Sequence, residues 1–129
     1  MTGSLLLDTN IVVGLFIDDP AIAGHFLQSP DVTLSVTVLG ELYYGAQKSN
    51  RIDENLARID QFLEGVTVID NDIATAYEYG AIRNELRLKG RPIPENDLWI
   101  AALARQYDLT LVSRDRHFAE VENLRWEQW

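Results

Sequence analysis

The sequence predicts an α/β fold, a parallel central sheet of about five strands flanked by helices on both faces. Short apolar runs alternate along the chain with longer stretches of helical periodicity. The runs are rich in Leu or β-branched residues and mostly continuous, which suits strands covered on both faces. With 129 residues, 47% of them hydrophobic, the chain is long enough for one domain around a real core.

The elements follow in order. Leu5-Leu6-Leu7 is the first strand. Asn10 to Phe16 and Pro20 to Gln28 are short helices. Val32 to Ser35 is the second strand, and Val36 to Gln47 a helix with Leu39, Leu42, Tyr43 and Ala46 at i, i+3, i+4, i+7. Ile52 to Glu64 carries a similar stripe of Ile52, Leu56, Ile59 and Leu63. After the strand Val66 to Ile69 comes a long helix, Asn71 to Lys89, ended by Gly90 and followed by Pro92. Pro94 to Tyr107 is the last helix, Leu109 to Val112 a strand, and Leu124 to Trp126 a weaker fifth strand. No repeat, low-complexity tract or linker interrupts the chain, so residues 1–129 read as a single domain.

Composition excludes several classes. There is no cysteine, hence no disulfide framework and no thiolate chemistry, and the chain fits a reducing cytoplasmic setting. The longest apolar runs are too short to span a bilayer, and the N-terminus lacks the features of a signal peptide. Twenty acidic residues against eleven basic ones give a net charge of −9. That argues against nucleic-acid binding by overall attraction and suits a basic partner or bound cations. Positive charge concentrates only at Arg83, Arg87, Lys89 and Arg91.

In open α/β sheets, ligands sit beyond the carboxyl ends of the strands. Asp8 directly follows the first strand, and Glu41 lies in the helix after the second. Asp97 is in the first turn of the last helix, and Asp115 lies three residues beyond Val112. Each has an ordinary reading: Asp8 as a helix cap, Glu41 as a boundary residue, Asp97 as a partner of the helix dipole, Asp115 as a turn acid. Parallel strands would nevertheless bring all four to one edge. Converging carboxylates must bind protons or a cation, and oxygen ligands select Mg²⁺ or Mn²⁺. No His or Cys accompanies them, against zinc, and His25 and His117 read as surface or packing residues. Such a site is the usual apparatus of phosphoryl chemistry. Ser35 and Ser113 lack a nucleophile elbow, and no Walker A or Rossmann fingerprint is present. Paired carboxylates for sugar hydrolysis remain a formal alternative.

The segments LLLDTNIVV, LSVTVLGELYYGA, AIRNELRLKGRPIPENDLWIAALARQYDLTLVSRDRHF and VENLRWEQW resemble the PIN-domain ribonucleases, more narrowly the VapC-type toxins of toxin–antitoxin pairs. The resemblance runs from Leu5 to Trp129. It implies Mg²⁺- or Mn²⁺-dependent cleavage of RNA, inhibition by a cognate VapB-type antitoxin, and a homodimer within a larger assembly. It carries catalytic and metal-binding roles onto Asp8, Glu41, Asp97 and Asp115, with Asp8 and Asp97 as principal ligands. Ser113 and Asn10 become supporting residues. Glu95 stays outside the metal's ligands as a helix-start acid. RNA would be held through Arg83, Arg87, Lys89 and Arg91, and Trp99, Tyr43 and Tyr44 could stack on bases. An antitoxin tail bearing Arg or Lys would suit the acidic site. Two alternatives stay open, a PIN-like nuclease acting on DNA or flap substrates and a non-catalytic metal-binding interaction module.

Overall fold

The computed structural model describes residues 4–28 and 31–129; residues 1–3, part of the N-terminus read above as no signal peptide, lie outside it. The elements are β1 (Ser4–Leu7), α1 (Thr9–Phe16), α2 (Pro20–Leu27), β2 (Asp31–Ser35), α3 (Val36–Gln47), α4 (Ile52–Leu63), β3 (Thr67–Ile69), α5 (Ile73–Lys89), α6 (Glu95–Tyr107), β4 (Thr110–Val112), a 3₁₀ turn (Arg116–Glu120) and β5 (Arg125–Glu127). The five strands form one sheet of order β3-β2-β1-β4-β5, parallel throughout. The chain builds outward from β1 through β2 to β3, then crosses to the other side for β4 and β5. The order therefore reverses between β1 and β4, where Leu7 pairs with Val112. A parallel sheet opens a crevice at such a switch point.

The core sits against the three central strands. Leu6, Leu7, Leu34, Leu111 and Val112 are fully buried, and the helices cover them with Ile11, Val12, Val38, Ile82, Leu86, Ile100 and Leu103. β3 departs from the expected buried strand, since Thr67 and Val68 are exposed and only Ile69 is partly covered. It is an edge strand, and its β-branched run reported strand propensity, not burial. β5, the opposite edge, begins at Arg125, one residue later than expected.

Caps fix the helix boundaries. Asp19 accepts from the backbone N–H groups of Ala21 and Ile22 at 3.0 and 3.3 Å, and Ser35 from Val38 at 3.0 Å. Asp72 and Thr75 form a reciprocal capping box, so α5 starts at Ile73 and not at Asn71. Gly90 closes α5 in the left-handed conformation, φ 69°. Arg105 of α6 clamps α5 through Glu78 and Glu85 at 3.1 and 3.0 Å. Among the described residues no single helix is long and apolar enough to cross a membrane; α1 and α2 have the combined length but bend by 101°.

Candidate active site

Asp8 is the first residue past β1, and its N–H extends the sheet by donating to Val112 O at 2.9 Å. Its Oδ1 accepts from the Thr9 N–H at 2.8 Å, capping α1, and its Oδ2 accepts from the Ser113 hydroxyl at 2.7 Å. The capping role and a site role are thus compatible in one carboxylate, which has lone pairs for further partners. Ser113 is wholly buried just past β4 and acts as a hub. Its Oγ also accepts from the Asp115 N–H at 3.0 Å and from the Asn10 side-chain amide at 3.4 Å. Asn10 returns a carbonyl to the Arg114 N–H at 3.3 Å. Asn10 therefore reaches Asp8 only through Ser113.

Glu41 projects from the middle of α3, accepting from the Thr9 hydroxyl and from the Asn96 amide at 3.1 Å. Asp97 stands in the first turn of α6, and Asp115 opens the 3₁₀ turn without using its side chain as a cap. Asp8, Glu41, Asp97 and Asp115 line one open cleft of about 740 Å³ at the switch point, together with Asn10 and Glu95. The structure thus brings together all four acids from four separate stretches of chain.

Their electrostatics show the cost. Burial raises the pKa of Asp8, and Asp115 and Glu41 add to the rise; the Ser113 and Thr9 hydrogen bonds oppose it. Asp97 is pushed up to about 6, first by burial, then by the charge of Asp8, with Asp115 adding and His117 opposing. Without a counter-charge the cluster holds protons that ordinary carboxylates release.

His117 packs on Phe118 as expected, but it corrects the expectation that no His accompanies the acids. Its Nε2 lies 2.8 Å from Asp97 Oδ2, yet it has no hydrogen-bond partner of proper alignment. One ligand atom each from Asp97, Asp115 and His117 lie within 4.8 Å of one another. A cation with ligands at roughly 2.1 Å sets its ligand atoms about 3 to 4 Å apart, so this donor set fits a divalent metal. The signal was present in the sequence as Asp115-Arg116-His117 soon after a strand, beginning three residues past Val112. Thr9 and Asn96, which hold Glu41, were also missed, because their roles depend on the packing of α1 and α6 against α3.

The basic residues are spread more widely. Arg83 and Arg87 line a pocket of about 350 Å³ that shares Glu95 with the cleft. Arg83 lies 2.6 Å from the Tyr79 hydroxyl and 3.5 Å from Glu95, and Tyr79 also donates to Glu95. Arg87 donates to Asn84. Lys89 donates to Glu120 O at 2.6 Å and pairs with Glu122 at 3.5 Å, and Arg91 follows the Gly90 cap; neither lines the cleft. Trp99 stacks on Tyr79 with centroids 4.0 Å apart. Tyr43 packs partly against the core, while Tyr44 is exposed. His25 stacks on Trp129.

The parallel sheet and the carboxylates at its switch point define a class. The PIN domain family matches residues 5–124, and the chain belongs to the PIN-domain family. Within it, the relatives carry VapC names. The Ribonuclease VapC2 of Haemophilus influenzae is 41% identical over 127 residues, covering 96% of each chain. The tRNA(fMet)-specific endonuclease VapC of Shigella flexneri is 39% identical with the same coverage. Among solved structures, the VapBC2 of Rickettsia felis bound to a promoter DNA fragment superposes with a TM-score of 0.91 at 33% identity, covering 98% of each chain. The DNA-bound VapBC of Salmonella typhimurium also gives 0.91, at 34% identity, over 100% of this chain and 99% of that one.

Proposed function

We propose that this protein, a single PIN domain over residues 1–129, is a VapC-type endoribonuclease, the toxin of a toxin–antitoxin pair, acting in the cytoplasm with a divalent metal, Mg²⁺ or Mn²⁺. One observation carries the reading: four carboxylates from four elements share one cleft at the sheet's switch point. The relatives named as ribonucleases and as a tRNA-specific endonuclease favour RNA as the substrate.

Asp8 and Asp97 would be the principal metal ligands, with Asp115 and Glu41 completing the site. When bound, the metal supplies Lewis acidity toward the phosphate and acidifies a coordinated water. Ser113 fixes Asp8 by donating to Oδ2, leaving its remaining lone pairs for the site. Thr9 and Asn96 fix Glu41 in the same way. Arg83 and Arg87 flank the cleft and hold the RNA backbone, with Arg91 beyond them.

The two solved structures named above are VapBC complexes, and the same partnership is proposed for this chain, as a homodimer within a toxin–antitoxin assembly. A groove of about 360 Å³ between α1, α3 and α4 supports it. The groove contains the exposed Val13 and Ile17 and continues into the acidic cleft through Thr9 and Glu41. An antitoxin segment can lay an apolar stretch there and place a cationic side chain among the acids.

The test is induction of the wild type and Asp97→Asn separately in a bacterial host, with growth followed and new RNA 5′ ends mapped. Arrest and discrete new ends with the wild type alone are expected, because an amide is a far poorer ligand for a hard cation. Equal activity of a well-folded Asp97→Asn protein would overturn the site.

A further inference from the structure

We infer that His117 is itself a metal ligand, and that its ring nitrogen tilts the site toward Mn²⁺ over Mg²⁺. This rests on the metal-dependent reading above.

The contact between His117 Nε2 and Asp97 Oδ2 is short, 2.8 Å, yet it is not an aligned hydrogen bond. A ring N–H that close to a carboxylate would normally point at it, because alignment is where the bond gains its strength. The two atoms instead meet at ion-pair distance without that alignment. Neighbouring ligands on one octahedral cation have that relation: with metal–ligand distances near 2.1 Å they sit about 3 Å apart, and their lone pairs aim at the ion and not at each other. An oxygen of Asp115 completes the group within 4.8 Å. The Nε2 atom is buried, so bulk water does not satisfy it in place of an ion.

The local chain holds this arrangement. The 3₁₀ turn Arg116–Glu120 starts directly after Asp115, so Asp115 and His117 are set by one short turn. The imidazole packs on Phe118, 4.7 Å between centroids, and Phe118 is wholly buried. The ring is therefore anchored on one side and opens toward Asp97 on the other.

The chemistry follows from the donor set. Mg²⁺ prefers oxygen and sheds water reluctantly, whereas imidazole suits transition metals. Carboxylates alone discriminate weakly between Mg²⁺ and Mn²⁺; a nitrogen donor beside them favours the transition ion.

The experiment uses the purified full-length chain and the ions alone. Mn²⁺ binding is followed by electron paramagnetic resonance with detection of nitrogen hyperfine coupling, and Mg²⁺ affinity is read by competition. The wild type should show coupling to one imidazole nitrogen. His117→Ala should abolish that coupling and weaken Mn²⁺ about tenfold while moving Mg²⁺ by less than about twofold. His117→Gln, which retains bulk and a polar end, should behave the same and guards against misfolding. Mn²⁺ bound to the wild type with no nitrogen coupling overturns the inference, as does equal weakening of both ions by His117→Ala. Asp97→Asn separates the two readings. Weaker binding of both ions there upholds the carboxylate site even if no nitrogen is seen, so only the role of His117 falls. Undiminished binding of both ions there overturns the site and this inference together.

Discussion

At the scale of single residues, the cleft gives up stability by gathering carboxylates. Burial and the neighbouring Asp8 push Asp97 up to about 6 in the folded chain, against about 3.9 for an unfolded Asp, and Asp8 is raised in the same direction. Between about pH 4 and 6 the unfolded chain has released this proton while the folded chain retains it. The folded state binds more protons there, so metal-free stability falls as pH rises through the window and levels off above it. Asp19 and Asp72, lowered by hydrogen bonds from Arg114 and from the Thr75 backbone, act in the opposite sense, but below the ordinary carboxylate range. With chelator present, the Tm should be higher at about pH 5 than at about pH 7.5. Asp97→Asn should flatten that slope and raise the Tm at the higher pH, even as it removes cleavage. Added Mn²⁺ should raise the wild-type Tm most at the higher pH, where it competes with fewer protons. A metal-free Tm that climbs from pH 5 to 7.5 would contradict the assignment of a raised Asp97.

At the scale of elements, α1 carries Thr9 and Asn10 into the cleft, so its seating against α2 matters to function. A Cβ on Gly14 would run into Ile22 Cδ1, the end of a wholly buried side chain. Gly80, within α5, has nothing within 4 Å of such a Cβ. Gly14→Ala should therefore destabilise by about 1 to 3 kcal/mol through overpacking. Gly80→Ala should stabilise by up to about 1 kcal/mol through helix propensity. Denaturant unfolding of the pair checks both signs, and equal effects would mean that the α1–α2 contact is looser than described. The same elements show what was legible in the sequence. Periodicity and capping residues located all six helices within a residue or two, and apolar runs located the five strands. Their exposure was not legible: Val66 to Ile69 reads like a core strand, and only the pairing order makes it an edge. Asp8, Asp97 and Asp115 were legible because each lies near a strand end or at a helix start, whereas Glu41, in the middle of α3, was legible only as the acid of the helix after β2. The contacts of Thr9 and Asn96 with Glu41, and of His117 with Asp97, were not legible because local sequence does not record which helix or turn packs opposite them.

At the scale of the whole molecule, the proposed RNA substrate would approach a protein with a net charge of −9. Repulsion beyond about 8 Å is screened at physiological ionic strength, so the charges near the cleft decide binding. The four basic residues of the α5 end are not equivalent. Lys89 is engaged with Glu120 O and Glu122, and Arg83 with Glu95. Among the described residues, Arg87 and Arg91 have no acidic partner, and Arg87 lines the pocket that adjoins the cleft. These two have their charge available for phosphates. Reversing both, Arg87→Glu with Arg91→Glu, should raise KM for an RNA substrate about tenfold or more with little change in kcat. The slope of log affinity against log salt should shrink by about 1.4, since each phosphate contact on a single strand contributes about 0.7. Lys89→Ala should instead lower the Tm and leave KM near its wild-type value, because its partners belong to the fold. Steady-state kinetics over a salt series distinguishes these outcomes. An unchanged KM and slope in the double variant would move the RNA path off α5, leaving the acidic cleft as the remaining hold on the substrate.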